Sequence, residues 1–151
     1  ALTGSLIYDL IPMGSRFCAV MEEQLCFLDD SGEVRAAYSC GSDYLRRVDC
    51  GDGYAALLLG RYRAGSADQA VTVNAQGEQQ AVLSLGGQVL DFSAGGSYCA
   101  VLTGTGLTVY DPDMEQASSM QSTMGARRVD MGADGTAVLA DSQRAWLYIP
   151  G

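Results

Sequence analysis

Three observations predict an all-β chain made of four copies of one small antiparallel unit. The first is a period. An apolar–Asp pair recurs as Tyr8-Asp9, Val48-Asp49, Leu90-Asp91 and Val129-Asp130, with the aspartates 40, 42 and 39 residues apart. The second is the segment after each pair: a turn, then a strand of small and branched residues. These strands read Phe17-Cys18-Ala19-Val20, Tyr54-Ala55-Ala56-Leu57, Tyr98-Cys99-Ala100-Val101 and Thr136-Ala137-Val138-Leu139, with starts 37, 44 and 38 residues apart. The third is punctuation. Gly and Asx separate short runs of β-branched and aromatic residues, and no window carries a 3.6-residue apolar stripe.

Each unit then resolves into four strands. The apolar–Asp pair lies on the first, and the small-and-branched segment is the second. A third ends in an Asp or Asn turn, at Leu28-Asp29-Asp30-Ser31-Gly32, Val73-Asn74-Ala75-Gln76-Gly77 and Tyr110-Asp111-Pro112-Asp113. A fourth is expected from Glu33, Glu78 and Glu115, just past those turns. Asx and Gly suit such reversals because they tolerate left-handed backbone angles and bond their own amides. Four antiparallel strands in roughly 40–45 residues make one blade of a β-propeller, which hides its two apolar faces only against neighbouring blades. The run 54–59, apolar on both sides, fits that burial. The whole chain, 1–151, reads as one propeller domain or fragment with repeats near 5–40, 41–85, 86–123 and 124–151.

The last unit has room for three strands, so the ring is expected to be incomplete. Residues 1–5 are the only chain left to supply an outer strand from the other terminus. Three closures stay open: a four-bladed ring, half of a larger ring completed by a second copy, or a partial propeller missing blades of a longer chain. An open arc would expose apolar blade faces that soluble monomers avoid, so a homo-oligomer or further blades are expected. The chain opens on Ala-Leu-Thr-Gly without a Met and reads as a processed form or a piece of something longer.

Composition removes several functions. The chain has 151 residues, nine bases that are all Arg, 18 acids, no His and a net charge of −9. Imidazole-based nucleophile systems and His-ligated metal sites are excluded. So is a sequence-independent nucleic-acid binder, because this surface repels phosphate. No cofactor motif is present: Gly104-Thr105-Gly106 is a reversal between strands, not a phosphate-cradling loop before a helix. No apolar run exceeds six residues, against the roughly 20 of a membrane-spanning helix. Five cysteines at 18, 26, 40, 50 and 99 form no close metal-ligand pair. They read as small core residues, with a Cys40–Cys50 disulfide as the alternative.

The segments 91–101 and 129–139, with Thr103-Gly104-Thr105-Gly106-Leu107-Thr108-Val109-Tyr110-Asp111, resemble the inner-strand, turn and second-strand pattern of WD40-like propellers. Taken whole, the chain also resembles an uncharacterised family of bacterial proteins with an N-terminal membrane anchor and an envelope-facing propeller. That resemblance implies an extracellular or cell-envelope location, tethered by an anchor outside this chain. It carries no active site to transfer.

Two sets of residues are candidates for function. Asp9, Asp49, Asp91 and Asp130, on the innermost strands, would form an acidic ring able to hold a cation such as Ca²⁺ if they faced the axis, or would accept backbone N–H bonds and hold register. Arg46-Arg47-Val48-Asp49 recurs as Arg127-Arg128-Val129-Asp130. The four arginines would lie near one channel mouth and grip a carboxylate, phosphate or acidic peptide, or Arg47 and Arg128 would neutralise Asp49 and Asp130. The loop 61–68 is the longest between strands and the best candidate for a binding protrusion. Together these residues support a non-catalytic binding or scaffold module presenting loops to a protein, peptide or glycan partner. The alternative is a carboxylate-based glycoside hydrolase or lyase at the channel mouth. It requires two carboxylates about 5–10 Å apart in an open cleft, whereas a scaffold ties its aspartates to backbone amides.

Overall fold

The computed structural model describes residues 6–62 and 64–150. Segment 1–5, considered above as a closing strand, Arg63 of the long loop and Gly151 lie outside the described residues. The described chain forms fifteen strands and no helix. Blade 1 holds β1 (Asp9–Met13), β2 (Arg16–Val20), β3 (Gln24–Leu28) and β4 (Val34–Ser39). Blade 2 holds β5 (Tyr44–Gly51), β6 (Tyr54–Gly60), β7 (Gln69–Asn74) and β8 (Gln79–Ser84). Blade 3 holds β9 (Val89–Gly95), β10 (Tyr98–Thr103), β11 (Leu107–Tyr110) and β12 (Gln116–Met120). Blade 4 has three strands, β13 (Arg128–Met131), β14 (Ala137–Ala140) and β15 (Ala145–Tyr148). Within every sheet the strands pair antiparallel in chain order.

Local chemistry sets the reversals. Asp29, Asn74 and Asp111 occupy the same place after the third strand, and each Oδ1 accepts two backbone N–H bonds, from residues two and four further on, at 2.9–3.0 Å. The side chain thus satisfies amides that the turn takes out of the ladder. The fourth strands begin at Val34, Gln79 and Gln116, one residue later than expected, because Glu33, Glu78 and Glu115 still donate their N–H to these Asx oxygens. In blade 4, Asp134 accepts the Thr136 N–H at the first reversal and Asp141 accepts the Gln143 and Arg144 N–H groups at the second.

The core is three apolar layers between blades, with a small fourth cluster of Ala19, Met21 and Cys26 in blade 1. Side chains alternate across a strand, so β6 feeds two layers at once. Ala55, Leu57 and Leu59 face blade 1, with Met13, Cys18, Leu25 and Phe27. Tyr54, Ala56 and Leu58 face blade 3, with Phe92, Cys99 and Val101. The third layer sets Ala100, Leu102 and Val109 of blade 3 against Val129, Met131 and Leu139 of blade 4. Every residue of β6 is buried, which is why its sequence does not alternate.

Glycines let the inner edges meet. At the last residue of β5 and of β9, a Cβ on Gly51 would strike the Gly96 carbonyl oxygen and one on Gly95 would strike the Met131 carbonyl oxygen. Inner strands pack β1 on β5, β5 on β9 and β9 on β13, and no comparable contact returns from β13 to β1. The described residues form an open arc of blades. All five thiols are buried and free, so Cys40 and Cys50 are not bridged.

Candidate binding site

The inner strands share a common corner: Met13, Gly51, Gly95 and, in blade 4, Gly132. Two cross-blade bonds fix this equivalence. The Ala94 N–H donates to Asp49 Oδ2 at 2.8 Å, and the Met131 N–H donates to Ser93 Oγ at 2.9 Å. Both donors lie one residue before a corner, and both acceptors lie two residues before the corner of the preceding blade. Side chains two and four residues before a corner point toward the next blade, and those one and three before it point back.

This register divides the four aspartates, which the spacing of the repeats places in one set. Asp49 and Asp130 stand two residues before their corners, with Ser93 and Ile11 as counterparts. Asp9 and Asp91 stand four before, where the other two blades carry Arg47 and Arg128. The two Arg-Arg-Val-Asp stretches do occupy equivalent positions. The position four before the corner therefore alternates in charge along the arc as Asp9, Arg47, Asp91 and Arg128.

Asp91 is the most enclosed of these groups. Its Oδ2 accepts the Val129 N–H at 2.7 Å, and its Oδ1 takes the Arg47 guanidinium at 2.9 Å. Arg47 also donates to the Phe92 carbonyl. Its ion partner is thus Asp91 of the next blade, not the Asp49 two residues away. Asp49 uses both oxygens, accepting from Cys50 N and Ala94 N. Burial pushes the Asp49 carboxyl above its ordinary value; the two N–H bonds pull it back, while the Asp130 charge adds to the rise. Asp9 accepts its neighbour's N–H, from Leu10, at 2.8 Å. Asp130 is exposed. Two of the four aspartates are tied to amides of the adjacent blade and serve register. Among the described residues, no group of three or more metal-ligating side chains is placed to hold a metal ion.

The four arginines stand in different surroundings: Arg47 is held by Asp91 of blade 3. Arg127 is exposed at the edge of blade 4. Arg46 occupies an irregularity in the β5–β6 pairing; its guanidinium fills the space beside Gly60 and donates to the Tyr62 carbonyl. Arg46 and Arg47 form a ridge with a hollow on each side. One, of about 390 Å³, is walled by Leu58, Gly65, Ser66, Ala67 and Gln88 between blades 2 and 3. The other, of about 290 Å³, is walled by Tyr8, Val20, Met21, Glu22 and Leu45 between blades 1 and 2. Gly65, Ser66 and Ala67 of the long loop thus form a wall of the hollow. Asp68 pins it, accepting the Arg61 N–H at 2.6 Å while its own N–H donates to Leu59. Sequence reasoning missed Gln88 and Ser93. Counting back from the Gly95 corner would have found Ser93; nothing local marks Gln88, whose place depends on how two blades meet.

No protein-family model matches the chain, and no curated protein sequence matches it significantly. Solved structures match in fold. The computationally designed Ika4 protein aligns with a TM-score of 0.68 at 10% identity, over 100% of this chain and 96% of that one. The complex of KlAtg21 with the coiled-coil of AgAtg16 contains a match with a TM-score of 0.70 at 15% identity, over 97% of this chain and 53% of that one. The Pan2 WD40 domain of Neurospora crassa aligns with a TM-score of 0.58 at 13% identity, over 94% and 46%. The chain spans about half the length of these two natural proteins and nearly all of the designed one. At these identities the likeness is one of fold: a β-propeller, its last blade incomplete.

Proposed function

We propose that this chain is a non-catalytic binding module, and that the Arg46–Arg47 ridge with its two hollows takes a carboxylate-bearing segment of a protein partner. One observation carries the reading. Asp49 and Asp91, the inner-strand carboxylates a hydrolase would need free, spend their oxygens on Cys50, Ala94 and Val129 amides and on Arg47. Arg46 and Arg47 line both hollows, and the five N–H donors of a guanidinium allow forked contact with a carboxylate beside the bonds each already makes. The net charge of −9 does not forbid this, because screening over about 8 Å at physiological salt leaves the nearest charges dominant. The KlAtg21 match supports a protein partner, being solved with a coiled-coil bound. The resemblance to envelope-facing bacterial propellers supports an encounter outside the cytoplasm.

The test is titration of a fluorescent peptide rich in Asp and Glu, monitored by anisotropy. Arg46→Ala/Arg47→Ala weakens binding by about tenfold or more, while Arg127→Ala, on blade 4, leaves it unchanged. Equal affinity for all three proteins overturns the assignment.

A further inference from the structure

The two ends of the arc expose apolar residues whose counterparts inside it are buried, or half-buried in the case of Val48. Leu10 stands three residues before its corner, and its counterparts Phe92 and Val129 are 2% and 7% exposed against the preceding blade; Leu10 is 55% exposed. Phe17 pairs with the residue one before the corner, as Cys99 does in blade 3, yet Phe17 is 37% exposed and Cys99 0%. At the other end Val138 and Leu147 are cross-strand partners, 45% and 57% exposed. Their counterparts Ala100 and Val109 are 0% and 1% exposed, packed against blade 4. Blade 1 thus offers the face that receives a preceding blade, and blade 4 the face that receives a following one.

The polar groups at these ends match as well. Between blades 2 and 3, Arg47 four residues before one corner grips Asp91 four before the next. Arg128 and Asp9 occupy those same two places at opposite ends of the arc. Arg128 is exposed, and its side chain makes no hydrogen bond or ion pair with a described residue. Asp9 is exposed and its Oδ1 is engaged only by the Leu10 amide. Pro12, one residue before its corner, has no N–H to offer Asp130, so the arginine–aspartate pair carries the polar match of this join alone.

We infer that a second copy of this chain covers both ends. Blade 4 of each copy receives blade 1 of the other, Leu10 and Phe17 pack on Val138 and Leu147, and Arg128 meets the Asp9 of the second copy. A head-to-tail contact that closes after two copies gives a ring with two identical joins. The charge alternation Asp, Arg, Asp, Arg then continues unbroken around eight blades.

Sedimentation equilibrium of the 151-residue chain tests this, with an expected mass of twice 15.9 kDa. Arg128→Asp alone and Asp9→Arg alone each place like charges at both joins and weaken association by about a hundredfold or more. Mixing the two variants restores opposite charges at both joins and the dimer returns, which also shows that both variants fold. A monomeric wild-type chain, whose neighbours would then be other blades, overturns the inference. So does an open-ended series of oligomers, or a dimer whose mass is indifferent to the charge reversals, or no recovery on mixing.

Discussion

Asp49 shows how much one carboxylate does at a blade junction. Its two oxygens accept from Cys50 N and Ala94 N, one amide in its own strand and one in the next blade. Asp49→Ala leaves the Ala94 N–H without its acceptor and costs about 1–3 kcal/mol in a urea unfolding series. Asp49→Asn keeps an acceptor oxygen and removes the charge. The folded Asp49 carboxyl lies above its ordinary value, so its contribution favours the fold at low pH and fades as pH rises through that value. The stability of Asp49→Asn relative to wild type therefore climbs with pH across this window and then levels; a pH-independent difference contradicts this. Asp29 has the opposite sign. The Ser31 hydroxyl first, and then the Glu33 N–H, hold its carboxyl well below the usual carboxylate range, with the Arg35 guanidinium adding to them. Its contribution is present above about pH 3.9 and fades as pH falls through its folded value. At the corner, Gly95→Ala drives a methyl into the Met131 carbonyl and destabilises by about 1–3 kcal/mol in the same assay.

At the scale of the element, the recurring device is the Asx reversal between the third and fourth strands. Asn74 does in blade 2 what Asp29 and Asp111 do in blades 1 and 3, with bonds of the same length. The geometry therefore needs the side-chain oxygen and not the charge. Asp111→Asn shifts the unfolding midpoint by no more than about 0.5 kcal/mol, whereas Asp111→Ala releases two amides and costs about 1 kcal/mol. These reversals are legible in the sequence because the whole motif lies within five residues. The β5 irregularity at Arg46 is not, since only the pairing with β6 reveals that Arg46 falls between the residues opposite Leu59 and Leu58.

At the scale of the whole molecule, stability is distributed over layers between neighbours, as in other repeat architectures. Leu25→Ala opens a cavity in the layer shared by blades 1 and 2 and costs about 2–5 kcal/mol. Cys18 and Cys50 lie in that layer, while Cys99 lies in the next. Burial raises the Cys99 thiol above its ordinary value, and a hydrogen bond with Cys18 followed by burial does the same for Cys50. Neither reacts readily while folded. In Leu25→Ala, thiol labelling of Cys18 and Cys50 accelerates more than that of Cys99, read by mass spectrometry of the labelled peptides. Equal acceleration at all three means the arc opens as a single unit.

What the sequence determined by itself was local and periodic. The 40-residue recurrence, the strand-length runs and the Asx-Gly reversals specify four small antiparallel sheets, because each is written in contiguous residues whose backbone preferences agree. The Arg-Arg-Val-Asp recurrence belongs to the same class, and its two copies stand in equivalent register. Only the tertiary structure decided which aspartates correspond, that Arg47 pairs with Asp91 and not with Asp49, and which apolar residues the ends of the arc leave uncovered. Those outcomes turn on strand register, where a shift of two residues moves a carboxylate along the blade edge without changing its face, and on which edge meets which. Chain order alone contains neither.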